Sequence, residues 1–272
     1  MSALLMLSCQ GREAGPAVAE VPADSIDSVS IDTVDVDTLE QLITEAPLPQ
    51  AADELFDDFL FNFAANKKLQ LSRIVFPLPV ERNGKTEHVD KNSWRMEHFF
   101  MRQGYYTVIF DSEQQKDIVK DTSVTHAVVE KIYFNTGAVI QYEFRRVRRA
   151  WMMCKMTTIP ISSSHEQSFL DFYHKFATDS AYQVNSLAET VEFTGPDPDD
   201  DFSQTEGLIT RDTWAAFAPE LPRKMIYNIV YGNGKSPSNQ RILVMKGIAN
   251  GLEMELTFRR NGDSWILTKM NT

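Results

Sequence analysis

Two arginines that close strand-like stretches are the residues best placed for chemistry. In "AVIQYEFRR" a period of two puts Ile140, Tyr142, Phe144 and Arg146 on one face, and in "LEMELTFRR" it does the same for Met254, Leu256, Phe258 and Arg260. A guanidinium at the end of such an apolar face is suited to holding a carboxylate or phosphate. The plainer account is that Arg and Lys at strand ends lie along apolar side chains and pair with nearby acids. It is preferred here because an unpaired buried charge is rare. Arg145 and Arg259 point away, and Lys155 and Lys269 share faces with Trp151 and Trp265.

The other chemistry-bearing patterns are weaker. "RRVRR" puts four positives on a hairpin tip, where anionic surface binding competes with a simple solvated tip; the arginines lack the interleaved aromatics of a nucleic-acid patch. "GNGKS" (232–236) resembles the end of a phosphate loop, but Ile229 stands where the pattern needs Gly and no helix follows, so a hairpin loop is expected. "DPDDDFSQTE" (197–206) lacks the Gly and Glu of a helix-loop-helix calcium loop and reads as an exposed acidic loop. His88, His98, His126, His165 and His174 show no metal-ligand spacing, and neither Cys9 nor Cys154 belongs to a CxxC pair. No metal or cofactor is expected. An acid–base enzyme would need an inward Asp or His and a Tyr or acid donor; His126 lies on a strand with Tyr105, Tyr106, Tyr133 and Tyr142 near it in sequence.

The elements that position these residues are written twice. "FRRVRRAWMMCKMTT" (144–158) and "FRRNGDSWILTKMNT" (258–272) agree at seven of fifteen positions, where ordinary composition gives about one. Phe56, Asp58, Phe59, Phe63, Ala64 and Gln70 return as Phe169, Asp171, Phe172, Phe176, Ala177 and Gln183, and Trp94 is answered by Trp214. The spacing predicts two α+β units, 53–158 and 166–272, joined by a linker at 159–165. Each begins with an amphipathic helix (Phe56, Phe59, Leu60, Phe63; Phe169, Phe172, Tyr173, Phe176). A second helical turn follows, carrying Leu71 and Ile74, or Val184 and Leu187. Pro77 and Pro79 favour an extended strand. Trp94 and Trp214 then head a further helical segment, with Asn92 or Asp212 as cap. Each unit ends in a four-stranded antiparallel meander: "YYTVIF", "VTHAVVEKIYF", "AVIQYEFRR" and "AWMMCKMTT", answered by "MIYNIVY", "QRILVMKGI", "LEMELTFRR" and "SWILTKM". Cys154 reads as a small core residue.

Charge and the first line point to the envelope. From Glu13 to Asn66 there are thirteen acids and no Lys or Arg, whereas 67–272 holds 26 basic and 25 acidic residues. The near-neutral body argues against nucleic acid as a partner. "MSALLMLSC" resembles the end of a bacterial lipoprotein signal peptide, with Cys9 lipidated and the first Met downstream of the true translation start. A disordered N-terminus with a chance Cys is the alternative. Residues 10–52, rich in Asp, Pro and Val, read as an acidic disordered tether, with pairing of its Val/Ile as an edge strand held as the minor alternative.

"QLSRIVFPL" after an aromatic helix, then a Trp, then "YEFRR…W…K", resembles a family of bacterial envelope lipoproteins built on a domain of unknown function (DUF4348). The resemblance implies a nuclear-transport-factor-2-like fold, a bent antiparallel sheet wrapping a helix into a cone, in two tandem copies, and a membrane-anchored location. Three functions stay open. The leading one is a non-catalytic, lipid-anchored protein of the cell envelope (outer membrane or periplasmic side) that binds a small molecule or an envelope protein. Trp94, Tyr142, Arg146, Trp214 and Arg260 are its expected pocket residues. The others are an isomerase- or dehydratase-like enzyme with a polar pocket in one cone, and a scaffold whose cones are closed.

Overall fold

The protein, a computed structural model, is described for residues 53–197, 200–232, 238–249 and 251–272. Cys9, the signal-peptide-like segment, residues 10–52 of the expected tether and most of "GNGKS" lie outside the described residues.

Helix α1 (Phe56–Ala65) buries Phe56, Phe59, Leu60 and Phe63, and α3 (Gln167–Thr178) buries Phe169, Phe172, Tyr173 and Phe176, as the 3.6-residue spacing requires. Each is followed by a short helix whose first turn is capped by a side chain. Asn66 accepts from the Leu69 amide at 3.0 Å before α2 (Lys67–Arg73), and Asp179 accepts from the Tyr182 amide at 2.9 Å before α4 (Ser180–Asn185). In α2 the buried pair is Leu69 and Gln70 rather than Leu71 and Ile74; Ile74 instead bridges to Met153, and Leu187 opens a strand. The helical segments expected at the tryptophans are single 3-10 turns, Lys91–Ser93 and Trp214–Ala216, with no side-chain cap.

In the first half the strands are β1 (Leu78–Arg82), β2 (Lys85–Val89), β3 (Tyr105–Phe110), β4 (His126–Tyr133), β5 (Ala138–Val147) and β6 (Ala150–Pro160). In the second they are β7 (Leu187–Asp197), β8 (Asp200–Thr210), β9 (Met225–Tyr231), β10 (Gln240–Gly247), β11 (Glu253–Asn261) and β12 (Ser264–Asn271). They form two six-stranded sheets, β2-β1-β6-β5-β4-β9 and β8-β7-β12-β11-β10-β3. Every strand of one sheet occupies the place of the strand six later or earlier in the other. One pair in each sheet is parallel, β1 with β6 and β7 with β12.

Two expectations about strands and loops also change. The first is that each meander closes on itself. Instead β3 leaves β4 and pairs with β10 (Phe110 opposite Ile242, Val108 opposite Val244), while β9 pairs with β4 (Tyr231 opposite Ala127). The reason lies in β3 and β9 being apolar on both faces, so that each needs a core on either side. Val108 and Phe110 enter the core around α1, and Ile109 enters the core around α3. Tyr227, Ile229 and Tyr231 enter the first core, and Ile226 the second. The second change concerns "DPDDDFSQTE": Asp197 ends β7 and residues 200–206 open β8, an antiparallel pair at the edge of the sheet, while Pro198 and Asp199 lie outside the described residues.

Both last hairpins carry a bulge at the same point. Register slips between Glu143 and Phe144, leaving Cys154 as the extra residue of β6, and between Thr257 and Phe258, leaving Thr268 as the extra residue of β12. Cys154 is half-buried rather than a core residue, and burial pushes its thiol up.

Candidate functional site

The first turn of α1 carries Asp57 between two core-facing aromatics, Phe56 and Phe59. Its position on the helix flank turns it toward the end of β9, where the Tyr231 hydroxyl donates to Oδ1. Burial pushes the Asp57 carboxyl above the usual carboxylate range, with the Tyr231 hydrogen bond and the charge of Lys246 acting against the rise. Tyr231 is pushed well up by burial and then by Asp57. Tyr106 on β3 is pushed up by burial and by the charges of Asp57, Glu253 and Asp58.

Two cavities meet at Asp57 and Tyr106. One, of about 220 Å³, is walled by Leu60, Phe61, Phe100, Ile229 and Ile248, with Asp58 beside Asp57. The other, of about 240 Å³, lies over β3, β10 and β11, with Val108, Phe110 and Val244 at its base and Lys116, Lys246, Glu253 and Glu255 around it. Two of its three lysines are engaged: Lys116 contacts Glu113 at 2.6 Å and Glu255 at 2.8 Å, and Lys246 contacts Glu253 at 3.2 Å, while Lys120 stands exposed at the margin. The walls come from both halves, because β3 has crossed into the second sheet. By contrast, the spaces around α1 and α3 themselves are filled by aromatic rings, with Phe63 5.3 Å from Phe144 and Phe176 5.3 Å from Phe258, centroid to centroid.

Two of the five expected pocket residues meet around Glu97. The Tyr142 hydroxyl donates to Glu97 Oε2 at 2.8 Å, and Lys131 reaches Oε1 at 3.2 Å. The Trp94 indole donates to Gln70 Oε1 at 3.0 Å; the same oxygen accepts from the Glu97 amide at 3.1 Å, and Gln70 Nε2 donates to the carbonyls of Phe63 at 2.9 Å and Glu97 at 2.7 Å. Every polar atom of this fully buried amide is satisfied. The other three lie elsewhere. Trp214 is buried in the second core and donates to Gln183 Oε1 at 2.9 Å. Arg146 donates to the carbonyls of Asp53, Glu54 and Thr122 and lies 5.2 Å from the Trp151 ring. Arg260 is exposed over Trp265. None of the five lines either cavity.

His126, the histidine weighed for acid–base work, sits between the Gly232 carbonyl at 2.8 Å and Glu143 Oε1 at 3.3 Å. At "RRVRR", Arg145 pairs with Glu143 at 2.7 Å while Val147, Arg148 and Arg149 are exposed, which is a solvated tip.

The halves differ where Asp57 stands. Its aligned partner is Leu170, between Phe169 and Asp171. Ala127, opposite Phe144, faces Tyr231, whereas Arg241, opposite Phe258, pairs with Asp111 at 3.1 Å and Glu166 at 2.7 Å. A hydroxyl–carboxyl pair thus occupies in the first half the place that a buried ion cluster takes in the second. Asp57, Tyr231 and Glu97 were not singled out from sequence. The signal that marks Asp57 is the mismatch with Leu170 inside an otherwise shared helix pattern.

Comparison with known proteins places this architecture. A family model described as a domain of unknown function (DUF4348) matches residues 35–272. Among solved structures the chain is similar to an NTF2-like protein from Bacteroides fragilis NCTC 9343, at 39% identity and TM-score 0.74, over 83% of this chain and 98% of that one. The α+β, NTF2-like class expected from sequence is the class of this neighbour. No curated protein matches.

Proposed function

The chain belongs to the DUF4348 family, and from that premise we propose that it is a non-catalytic cell-envelope lipoprotein that captures a small molecule in the cleft at Asp57 and Tyr106. The observation that carries the binding role is the pair of joined cavities meeting at a half-buried carboxyl, with the neighbouring Lys116 and Lys246 engaged by other acids. Concave, largely apolar spaces with a few convergent polar groups are the usual form of small-ligand sites. The matched sheet orders support an origin by duplication, with units at 53–158 and 166–272. Cys9 would carry the lipid and residues 10–52 would hold the folded part off the membrane.

Two experiments test this. The folded chain is screened by ligand-observed NMR against a library of cationic, anionic and neutral fragments, beside Ile248→Trp, which fills the cleft. Binders lost in the variant support the proposal; no binder, or binders unaffected by the variant, removes it. For the anchor, the protein expressed with its upstream sequence is partitioned in detergent, and recovery in the aqueous phase without change on Cys9→Ser removes the lipid.

The upward shift of Asp57, with a hydroxyl on its Oδ1, favours one second function, acid–base chemistry of the isomerase or dehydratase kind. If a carbonyl-containing binder exchanges carbon-bound hydrogen in D2O, and Asp57→Asn stops that exchange, the enzyme replaces the binder.

A further inference from the structure

The cleft beside α1 has a chemical preference written into its walls, and this inference rests on the binding role proposed above. We propose that the compartment formed by Asp57, Asp58, Phe61, Phe100, Tyr106 and Ile248 takes a protonated amine carried on a small apolar or aromatic body.

Charge comes first. Neither Asp57 nor Asp58 forms an ion pair among the described residues, and no Lys or Arg lines this compartment. The cations nearest to it belong to the adjoining cavity, where Lys246 is held by Glu253 and Lys116 by Glu113 and Glu255, while Lys120 lines that cavity from an exposed position and does not line this compartment. The compartment therefore presents negative charge with no internal counterion. An anionic ligand would meet two carboxylates and no partner.

The walls come second. A bare divalent cation needs six to eight oxygens at short range, and this wall offers Leu60, Phe61, Phe100, Ile229 and Ile248 instead. An ammonium is the cation that aromatic rings stabilise, and its apolar substituent is what the remaining wall would cover. Size comes third. About 220 Å³ is less than the roughly 300–1,000 Å³ of drug-sized sites, so the body is small. Asp57 supplies the reward for binding: its carboxyl is half-buried with one hydroxyl on it, and an ammonium placed there would restore the ionised form that burial disfavours.

The test uses 2-phenylethylamine as probe and phenylacetate, of the same shape and opposite charge, as its control, titrated into the chain by NMR at neutral pH and about millimolar concentration. Saturable binding of the amine and not of the acid is expected. The amine's affinity should fall about tenfold or more in an Asp57→Asn, Asp58→Asn double variant that melts at or above the wild-type temperature. Absence of amine binding, or amine binding unchanged by the double variant, overturns the proposal. Phenylacetate binding that Ile248→Trp removes also overturns the amine class while leaving the cleft as a ligand site. Loss of neither probe in Ile248→Trp takes down the cleft itself. The wild-type comparison of amine with acid stands even if the double variant does not fold.

Discussion

Thr107 on β3 and Tyr227 on β9 are tied through a single hydroxyl: Oγ1 accepts from the Tyr227 amide at 3.1 Å and donates to the Tyr227 carbonyl. Thr107 is 1% exposed, so no water can take its place. This tie fastens the two exchanged strands where they pass each other, with the Asn228 side chain accepting from the Ile109 amide at 2.9 Å just beyond. Thr107→Val keeps the shape and removes both bonds. Leaving a buried amide and carbonyl unpaired costs about 2–3 kcal/mol. The expected melting temperature falls by about 4–12 °C, measured by circular dichroism, and a loss within error of zero would show that the crossing is not held there.

Because each core contains side chains from both halves, the two cannot melt separately. Calorimetry should show one transition for residues 53–272, with the calorimetric enthalpy equal to the van't Hoff value. Two resolved peaks would contradict the shared cores.

Asp57 has a raised folded-state value, so the folded chain holds the proton more tightly than the unfolded one. Below the unfolded value both states are protonated and nothing is lost; as pH rises through that value toward the folded one a penalty grows, and above the folded value it is complete. Asp57→Asn removes the charge and keeps an acceptor for Tyr231. At pH 7 the variant should melt above the wild type. The difference should vanish below about pH 3. A lower melting temperature at pH 7 would mean that the ionised carboxylate stabilises the fold.

Gln70 and Gln183 are aligned, and each receives a tryptophan N–H, yet they are not equal. Gln70→Leu removes the partner of the part-buried Trp94 and Glu97 donors, of the Glu97 carbonyl and of the buried Phe63 carbonyl, for a loss of about 2–3 kcal/mol. Gln183→Leu removes one side-chain acceptor, that of Trp214, and should cost about 1 kcal/mol. Denaturant melts of the two variants give the ratio; equal losses would refute the network account.

Arg146 and Arg260 separate in the same way. Arg146→Ala removes bonds to one part-buried and two exposed carbonyls and uncovers Trp151, for about 1–2 kcal/mol, whereas Arg260→Ala, at an exposed position, should stay within about 0.5 kcal/mol. A ligand effect from Arg260→Ala with no change in stability would instead restore it as a pocket residue.

The sequence carries local information well and pairing information poorly. Phe56, Phe59, Leu60 and Phe63 specify a buried helix face, and period two in "AVIQYEFRR" specifies which side chains of β5 turn inward, because both rest on the nearest few residues. "YYTVIF" shows a strand buried on both faces, but which edge accepts it depends on Ile242 and Val244, more than 130 residues away. The site was hidden for a different reason. Residues shared by both halves draw attention, and those turned out to be largely packing residues: Trp214 in a core, Arg146 over Trp151. Asp57 is legible only as a departure from the repeat. Its hydroxyl partner, Tyr231, is 174 residues away and on a strand that belongs to the other half's stretch of sequence.

The strand exchange also sets an order of events during synthesis. When β4, β5 and β6 have left the ribosome, β4 still has an open edge, and β3 has no strand to lie against, since β10 begins only at Gln240. An open edge beside an unplaced apolar strand invites pairing between neighbouring nascent chains. The first sheet is closed only once translation has passed Tyr231, at the end of a strand that is made last but three.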